Sequence, residues 1–400
     1  MKLKYTFFFF VLLICYAPIV AIYLPKTHFG PGIPEIGPLR IISYMTLIVF
    51  FIEIAINRIK IIINKWIIII LFFSFIVTLS VWWSKYYSYD TSTLQHLLDS
   101  IFFPLFVAFV SINLFSSKER IHNYMKHIII SGFCLSIISM FQFVFKLSVV
   151  SGEIRSGATL GNPNTLAIFL VLIIPCLLYA IDQSTIKPTV GWIILLFILG
   201  GIICTVSRKG TVTAILAIGI YSLLRKDWKK LIFWVFAILI CGLLIAINPD
   251  IGQRYKEQRI ETTFQGKFAM ARAGIEMFKK HPFIGLGYKG YYQNFGKYFP
   301  YSSKKRYDAH NEYITALANY GILGFIPFML IFLYPLFYAF KNLKHSEIQK
   351  DMAILGIAII IPFMLNIAFA GTAFYQQILT SLFYTHTSFI FINKQSSNSW

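Results

Sequence analysis

The sequence predicts an all-α polytopic membrane protein with about twelve transmembrane helices and one large outer loop between helices 9 and 10. Of its 400 residues, 57% are hydrophobic and 13% are charged, whereas an ordinary soluble domain has about 25% charged residues. The chain has too little polar surface to coat a soluble fold of this size, and it is too apolar to be disordered. Its apolar runs are continuous and lack the alternation of barrel strands, which favours helices.

Twelve apolar runs approach the length of about 20 residues that a membrane-spanning helix needs. They lie at residues 5–24, 41–57, 61–81, 99–115, 127–148, 165–181, 189–205, 211–224, 231–247, 318–340, 352–371 and 373–392. The first run is long for the apolar core of a signal peptide, so we expect an uncleaved first span. The chain then divides into helices 1–9 over residues 1–247, the outer loop over 248–313, and helices 10–12 with a short tail over 314–400.

The positive charges indicate how the chain is threaded through the membrane. The formal net charge is +20, but lysines and arginines recur between the apolar runs and form no dense block. With the N-terminus in the cytoplasm, the short inner segments contain 17 basic residues and the short outer segments contain 7. This asymmetry obeys the positive-inside rule and predicts that both termini are cytoplasmic. We therefore expect membrane lipids as partners, and no nucleic acid.

The outer loop carries a basic excess that membrane topology does not explain, because long loops do not set orientation. It has 12 basic and 6 acidic residues. Residues 267–280 predict one amphipathic helix that ends at His281-Pro282. The stretch 285–307 is rich in glycine and tyrosine, and tyrosine rings offer flat surfaces on which sugars stack. A basic outer surface favours a polyanionic ligand.

Motifs for nucleotide, metal and common hydrolase chemistry are missing from the sequence. It contains no Walker A loop, dinucleotide-binding glycine motif, zinc-protease motif or Gly-x-Ser-x-Gly. The five cysteines lie singly in apolar runs, which is typical of packed hydrophobic side chains rather than of disulfides or zinc. We expect no cofactor and no metal, so a reaction on the outer face would need a substrate that is already activated.

Two polar features precede predicted helices on the outer side. Residues 155–164 contain Arg155, Asn162 and Asn164, and Asn164 is a candidate near the helix N-cap. This stretch is either a turn that leads into a helix or the rim of a cavity, with Arg155 facing an anion. Arg208 lies at the tip of the short 206–210 hairpin, where it either reaches the lipid headgroups or binds a phosphate through its planar fork.

Two further polar features lie in the outer loop. Lys267 and Arg272 are five residues apart on the predicted helix, so they point to different faces, and a solvated basic face is the simpler interpretation. The run Asp308-Ala-His310-Asn311-Glu312 directly precedes the tenth span. His310 is the natural proton acceptor near neutral pH, and Asp308 and Glu312 are placed to orient it. The alternative is a structural histidine at the membrane interface.

The ordered set of short motifs over about residues 150–330 resembles the O-antigen ligase and O-antigen polymerase superfamily. The set comprises Arg155 with Gly161-Asn-Pro-Asn164, Ser207-Arg208-x-Gly210, His281-Pro-Phe-Ile-Gly-Leu-Gly287 in the outer loop, and His310-Asn-Glu-Tyr313 followed by Gly321-Ile-Leu-Gly324. The resemblance implies a bacterial inner-membrane glycosyltransferase with its active site on the periplasmic face. It implies transfer of a glycan from undecaprenyl pyrophosphate to an acceptor hydroxyl, without a metal and with inversion.

The resemblance also implies roles for individual residues. Arg208 matches the family's arginine that contacts the donor pyrophosphate, and His310 matches the catalytic base. The family has an arginine at the position of Lys267, and lysine keeps the charge but loses the planar fork. Either Lys267 suffices, or Arg272, Arg254 or Arg259 takes this role. Arg155 is a further candidate for the pyrophosphate, with Asn162, Asn164, Asp308, Asn311 and Glu312 as supporting residues.

Several alternatives remain open from the sequence. A ligase would use a lipid A-core sugar as acceptor, and a polymerase in polysaccharide biosynthesis would use a second lipid-linked glycan. A cell-wall polymerase of the shape–elongation–division type would use a carboxylate base, for which Asp308 is the candidate. A lipid-linked oligosaccharide flippase or other transporter predicts inverted repeats and ionisable residues near the midplane. The sequence shows neither, and Glu53 is the lone acid well inside an apolar run.

Overall fold

The structure is a computed structural model, and it describes residues 3–20, 38–84, 91–147, 155–228, 260–298, 309–369, 374 and 376–392. Within these ranges the chain is helical and contains no β-strand, which confirms the all-α class. The helices are α1 (Lys4–Val20), α2 (Pro38–Asn57), α3 (Lys65–Trp83), α4 (Thr91–Leu97, a π-helical turn Leu98–Phe102, and Phe103–Leu114), α5 (Lys118–Val144), α6 (Pro163–Asp182), α7 (Pro188–Cys204), α8 (Arg208–Arg225), α9 (Ile260–Lys280), α10 (Gly290–Tyr298), α11 (Glu312–Asn342), α12 (Glu347–Ala368) and α13 (Gln377–Ser388).

Eleven of the twelve predicted apolar runs coincide with a helix, and the ninth, 231–247, lies outside the described residues. Among the described residues, seven helices are long and apolar enough to cross a membrane, namely α2, α3, α4, α5, α6, α11 and α12. The helices α1 and α7 are apolar but shorter. The chain is thus a multi-helix membrane protein, while the count of twelve crossings stays a prediction.

Helix α6 lies at the centre of the bundle. Its side chains are buried almost without interruption from Leu166 to Ile181, because it packs against α5, α7, α8 and α12. Burial of side chains on every face is expected for a helix that is apolar all round and surrounded by other helices. By contrast, α2 exposes large apolar side chains, as a helix that faces lipid does. The first residues of α6 are therefore fixed by packing on all sides.

One end of the bundle is closed by a network of charged and amide side chains. Arg225, the last residue of α8, donates from Nη1 to Oδ1 of Asp351 at 2.6 Å, and its Nε lies 3.6 Å from Oδ2 of Asp182. Gln183 donates to Oδ2 of Asp351 at 2.9 Å and accepts from Lys118 at 2.8 Å. These contacts join the last residues of α6 and α8 to the first residues of α5 and α12. The first residues of α6 and α8 lie together at the opposite end, which we call the site end.

Glu53, the acid inside the second apolar run, caps the first helix. Its carboxylate accepts from the backbone N of Tyr5 at 3.0 Å, and from the backbone N and Oγ1 of Thr6 at 2.9 and 2.6 Å. A carboxylate at a helix N-terminus satisfies amides that lack a partner within the helix. Glu53 is therefore a structural residue and not an ion-pathway residue near the midplane.

The segment 281–287 of the outer loop docks into a break in α11. Helix geometry is interrupted at Gly321, where φ is 57° and ψ is −160°. Leu286 N donates to Ala318 O at 3.0 Å, and Gly287 N donates to Asn319 O at 2.7 Å. In return, Ile322 N donates to Pro282 O at 2.8 Å. Two motifs about 40 residues apart in the sequence thus form one backbone-paired unit.

Two glycines make this docking sterically possible. A Cβ on Gly285 would lie 2.4 Å from the backbone of Asn319, and a Cβ on Gly321 would lie 2.4 Å from the carbonyl oxygen of Phe283. Both residues also have positive φ, which glycine adopts at no steric cost. The segment 281–287 is therefore joined to α11 through a contact that other residues would obstruct.

Candidate active site at the site end

The first turn of α8 presents Arg208 at the site end. Ser207 is the N-cap of α8 and accepts from Gly210 N at 3.3 Å. Its hydroxyl in turn donates to Oδ1 of Asn164 at 3.0 Å, so the first turns of α6 and α8 are hydrogen-bonded to each other. Arg208 follows as the first residue of the helix, and it is exposed.

Arg155 links the turn between α7 and α8 to α6. Its Nε donates to the carbonyl oxygen of Thr205 at 2.9 Å, and its Nη2 donates to Oδ1 of Asn164 at 3.2 Å. The N-cap of α6 is Asn162, which accepts from the backbone N of Asn164 and of Thr165 at 2.9 and 3.3 Å. Asn164 lies two residues after this cap, and its side chain serves as the shared acceptor for Arg155 and Ser207.

Lys209 lies among other charges at the site end. The pKa of Lys209 is lowered to about 8, first by burial and then by the nearby charges of Lys267 and Arg155, whereas the charge of Glu312 acts in the opposite direction. Because charges act on each other only at short range, these effects indicate that four segments of the chain lie close together. The segments are residue 155 before α6, the first turn of α8, helix α9 and the first turn of α11. The site end therefore groups three cations, Arg155, Lys209 and Lys267, with the buried carboxylate of Glu312.

The backbone places His310 just before α11. Ala309 is buried in a small core with Ala318 of α11, while the side chain of His310 is exposed. Asn311 is the N-cap of α11 and accepts from Ile314 N at 3.1 Å. His310 itself has φ of 49°, a conformation that histidine adopts more readily than bulky or β-branched residues. Two anchored neighbours thus fix the position of His310.

Glu312 is fully buried in the first turn of α11. A carboxylate near a helix N-terminus is favoured by the helix dipole. A lysine beside a buried carboxylate compensates the negative charge of that carboxylate. Three further candidates from the sequence lie outside the described residues, namely Asp308, Arg254 and Arg259.

Helix α9 begins at Ile260, seven residues before its predicted start, and it ends at Lys280 as predicted. Its inward face packs Ala273 and Met277 against α10 and α11. Both side chains are exposed, but Lys267 influences the charge of Lys209, whereas Arg272 influences Glu276 on its own helix. The two cations therefore have different surroundings, as their five-residue spacing predicts.

Part of the tyrosine-rich stretch is structural. Tyr288 and Tyr291 are buried, and the Tyr291 hydroxyl donates to Met270 O at 2.8 Å. The Tyr288 carbonyl accepts from Ser84 at 3.0 Å and so ties the loop to the end of α3. These two rings are not available for sugar stacking, in contrast to the expectation from the sequence. Tyr292 is exposed.

The sequence places Lys209 beside Arg208 in the charged hairpin without assigning it a role, and it does not point to Gln376 at all. Gln376 precedes α13 and accepts from Oγ1 of Thr165 at 2.7 Å, which joins α13 to the site end of α6. The available signal for Lys209 was its place beside Arg208 in a charged hairpin between two apolar runs. Within the described ranges, no group of three His, Cys, Asp or Glu side chains lies close enough together to bind a metal ion.

Comparison with known proteins gives two matches. Residues 193–329 match the family described as O-antigen ligase, and this segment contains Arg208, Lys267 and His310. An uncharacterized protein of Haemophilus influenzae is 28% identical over 208 residues, which are 46% of this chain and 52% of the relative. The chain thus spans about half the length of the curated relative it matches. The resemblance predicted from the sequence is confirmed over residues 193–329, which are similar to the O-antigen ligase family.

Proposed function

We propose that the chain is a glycosyltransferase that moves a glycan from a polyprenyl pyrophosphate, undecaprenyl pyrophosphate, to an acceptor hydroxyl at the periplasmic face of the inner membrane. The observation that carries this proposal is the grouping of Lys267, Glu312 and Arg155 around Lys209, at the end of the bundle where His310 lies just before α11. A membrane enzyme with a basic site and a histidine suits a lipid substrate with a pyrophosphate leaving group.

His310 is the general base in this proposal. Its exposed ring removes the proton of the acceptor hydroxyl while the oxygen attacks the anomeric carbon of the donor sugar. A bond forms between the acceptor oxygen and this carbon, and the bond from the carbon to the phosphate oxygen breaks with its electron pair. The attack and the departure lie on opposite faces of the sugar, so the configuration is inverted.

The cationic side chains stabilise the negative charge that grows on the departing pyrophosphate. Arg208 is the best suited to contact two phosphate oxygens at once through its planar fork. Lys267 rather than Arg272 supplies the loop cation, because Lys267 acts on the charge of Lys209. Lys209 adds a third cation, and Asn164 fixes Arg155 and Ser207 beside them.

The test uses purified protein in vesicles, with lipid-pyrophosphate-linked glycan as donor and no nucleotide. Two acceptors are compared in parallel: a lipid A-core and a second portion of the lipid-linked glycan. We expect release of undecaprenyl pyrophosphate with one of the acceptors, and the productive acceptor distinguishes ligase from polymerase. Movement of intact donor across the bilayer without release would instead identify a transporter and contradict the proposal.

A further inference from the structure

The outward face of α9 combines apolar and basic side chains. Four exposed side chains lie on this face, namely Phe268, Arg272, Ile275 and Lys279. Their spacing of four, three and four residues puts them on one side of the helix. The exposed fraction is 66% for Phe268 and 40% for Ile275. The opposite face is the one that packs on α10 and α11. A solvated helix face has little reason to carry large apolar side chains between its cations.

The turn after α9 extends this apolar surface to a membrane-spanning helix. Phe283 is 75% exposed and Ile284 is 45% exposed. Leu323 N of α11 donates to Phe283 O at 3.0 Å, so the two segments are in direct contact. Leu323 and Ile326 of α11 are exposed as well, at 47% and 53%. Since α11 is long and apolar enough to cross a membrane, the apolar surface of the turn is continuous with its lipid-facing side.

We propose that the outward face of α9 and the turn at Phe283-Ile284 form a membrane-interface anchor for the outer loop. The apolar side chains contact the acyl chains of bilayer phospholipids. Arg272 binds anionic headgroups above them, and Lys279 binds headgroups in exchange for its exposed 2.8 Å contact with Glu276. This surface has the composition of a helix that lies in the plane of the interface, with apolar and cationic groups side by side. The anchor is independent of the glycosyl-transfer proposal.

The anchor has a consequence for the geometry of the loop. The segment 281–287 is backbone-bonded to α11 on one side and follows α9 directly on the other. Contact of its aromatic ring with lipid therefore sets the height of α9, and with it Lys267, relative to the membrane surface. In this proposal the loop is membrane-bound along the outward face of α9 and at the turn, whereas a turn fully in water would have no reason to expose Phe283.

The test places the photoreactive residue benzoylphenylalanine at position 283 in the full chain, reconstituted in vesicles of phosphatidylglycerol and phosphatidylcholine. Position 326 of α11 is the lipid-facing control, and position 347, where the Glu347 side chain is 84% exposed at the opposite end, is the solvent control. After irradiation, mass spectrometry of the intact protein measures phospholipid adducts. We expect adducts at 283 with at least half the yield found at 326, and a yield several-fold lower at 347.

The headgroup contact is tested in the same vesicles. The wild-type side chains at 272 and 279 should enrich phosphatidylglycerol among the adducts at position 283, and the double change R272Q with K279Q should return the adducts to the lipid ratio of the vesicle. An adduct yield at 283 as low as at 347 would overturn the proposal, as would cross-links from 283 to protein in place of lipid. Unchanged enrichment in the double variant would overturn the role of the two cations.

Discussion

Ser207 donates a hydrogen bond to Asn164 across 3.0 Å and thereby connects the first turn of α8 to the first turn of α6. The same Asn164 oxygen accepts from Arg155 at 3.2 Å. One amide thus fixes the relative position of two helix ends and one arginine. Because α6 is the most deeply buried of the described candidate spans, this contact positions Arg208 against a rigid support.

Replacing Asn164 with alanine should lower glycan transfer by roughly ten- to hundred-fold, because a serine hydroxyl and a guanidinium lose their shared acceptor. Initial rates of undecaprenyl pyrophosphate release measure the effect. Asn342→Ala is the matched control, since Asn342 donates to Ile390 O at 3.3 Å at the other end of the bundle. Equal rates for N164A and the wild type would contradict the importance of this contact.

Lys209 should make donor binding dependent on pH. Its pKa is about 8 in the free protein, and a bound pyrophosphate favours the protonated form. Donor affinity should therefore fall as the pH rises from 7 to 9. At pH 9 about nine tenths of the Lys209 side chains would be neutral. Isothermal titration with the donor lipid at several pH values measures this change. In K209R the affinity should be nearly constant over this range, because arginine stays charged.

The docking of segment 281–287 on α11 predicts that Gly285→Ala and Gly321→Ala are destabilising. Each change introduces a Cβ at 2.4 Å from backbone atoms and a side chain at positive φ, so we expect a loss of about 2–4 kcal/mol in the free energy of unfolding. Thermal unfolding in detergent measures it. Gly266→Ala in α9 is the control, because a Cβ there meets nothing within 4 Å. A normal midpoint in G285A and G321A would refute the backbone pairing.

The charge network at the far end should contribute to stability more than exposed ion pairs do. Asp351→Ala leaves Arg225 with one carboxylate neighbour fewer in a buried position, and loss of one partner of a buried pair costs about 3–5 kcal/mol. Lys350→Ala, which removes an exposed contact of 3.8 Å to Glu347, should change stability by less than about 0.5 kcal/mol. The unfolding midpoints of the two variants, measured side by side, should differ clearly; equal midpoints would mean that the network is not stabilising.

The helices were predictable from the sequence because a membrane requires long apolar runs, and such runs are visible without any knowledge of packing. The motif 281–287 and the motif 321–324 were visible as separate markers, but their pairing was not. The pairing consists of backbone hydrogen bonds across a helix break. Neither the spacing of apolar residues nor the composition of the chain encodes such a contact.

In the candidate site, too, some residues were predictable from the sequence and others were not. Arg208 and His310 stand out because charged residues are rare beside apolar runs. The lowered pKa of Lys209 depends on its burial and on the charges of Lys267 in α9 and Glu312 in α11, which are distant in the sequence, so it could not be inferred from a neighbouring arginine. Asn162 and Asn164 are equally good caps by residue type, and only the position of Arg155 and Ser207 shows which of them has the other role.

The central proposal is tested most directly by His310→Gln in the reconstituted transfer assay. Glutamine keeps a polar side chain of similar size but accepts no proton, so release of undecaprenyl pyrophosphate should fall by about 10²–10⁴-fold, while donor binding and membrane insertion stay as in the wild type. Arg208→Ala should abolish release as well, with weakened donor binding. Glycan transfer at the wild-type rate in H310Q would contradict the assignment of His310 as the base.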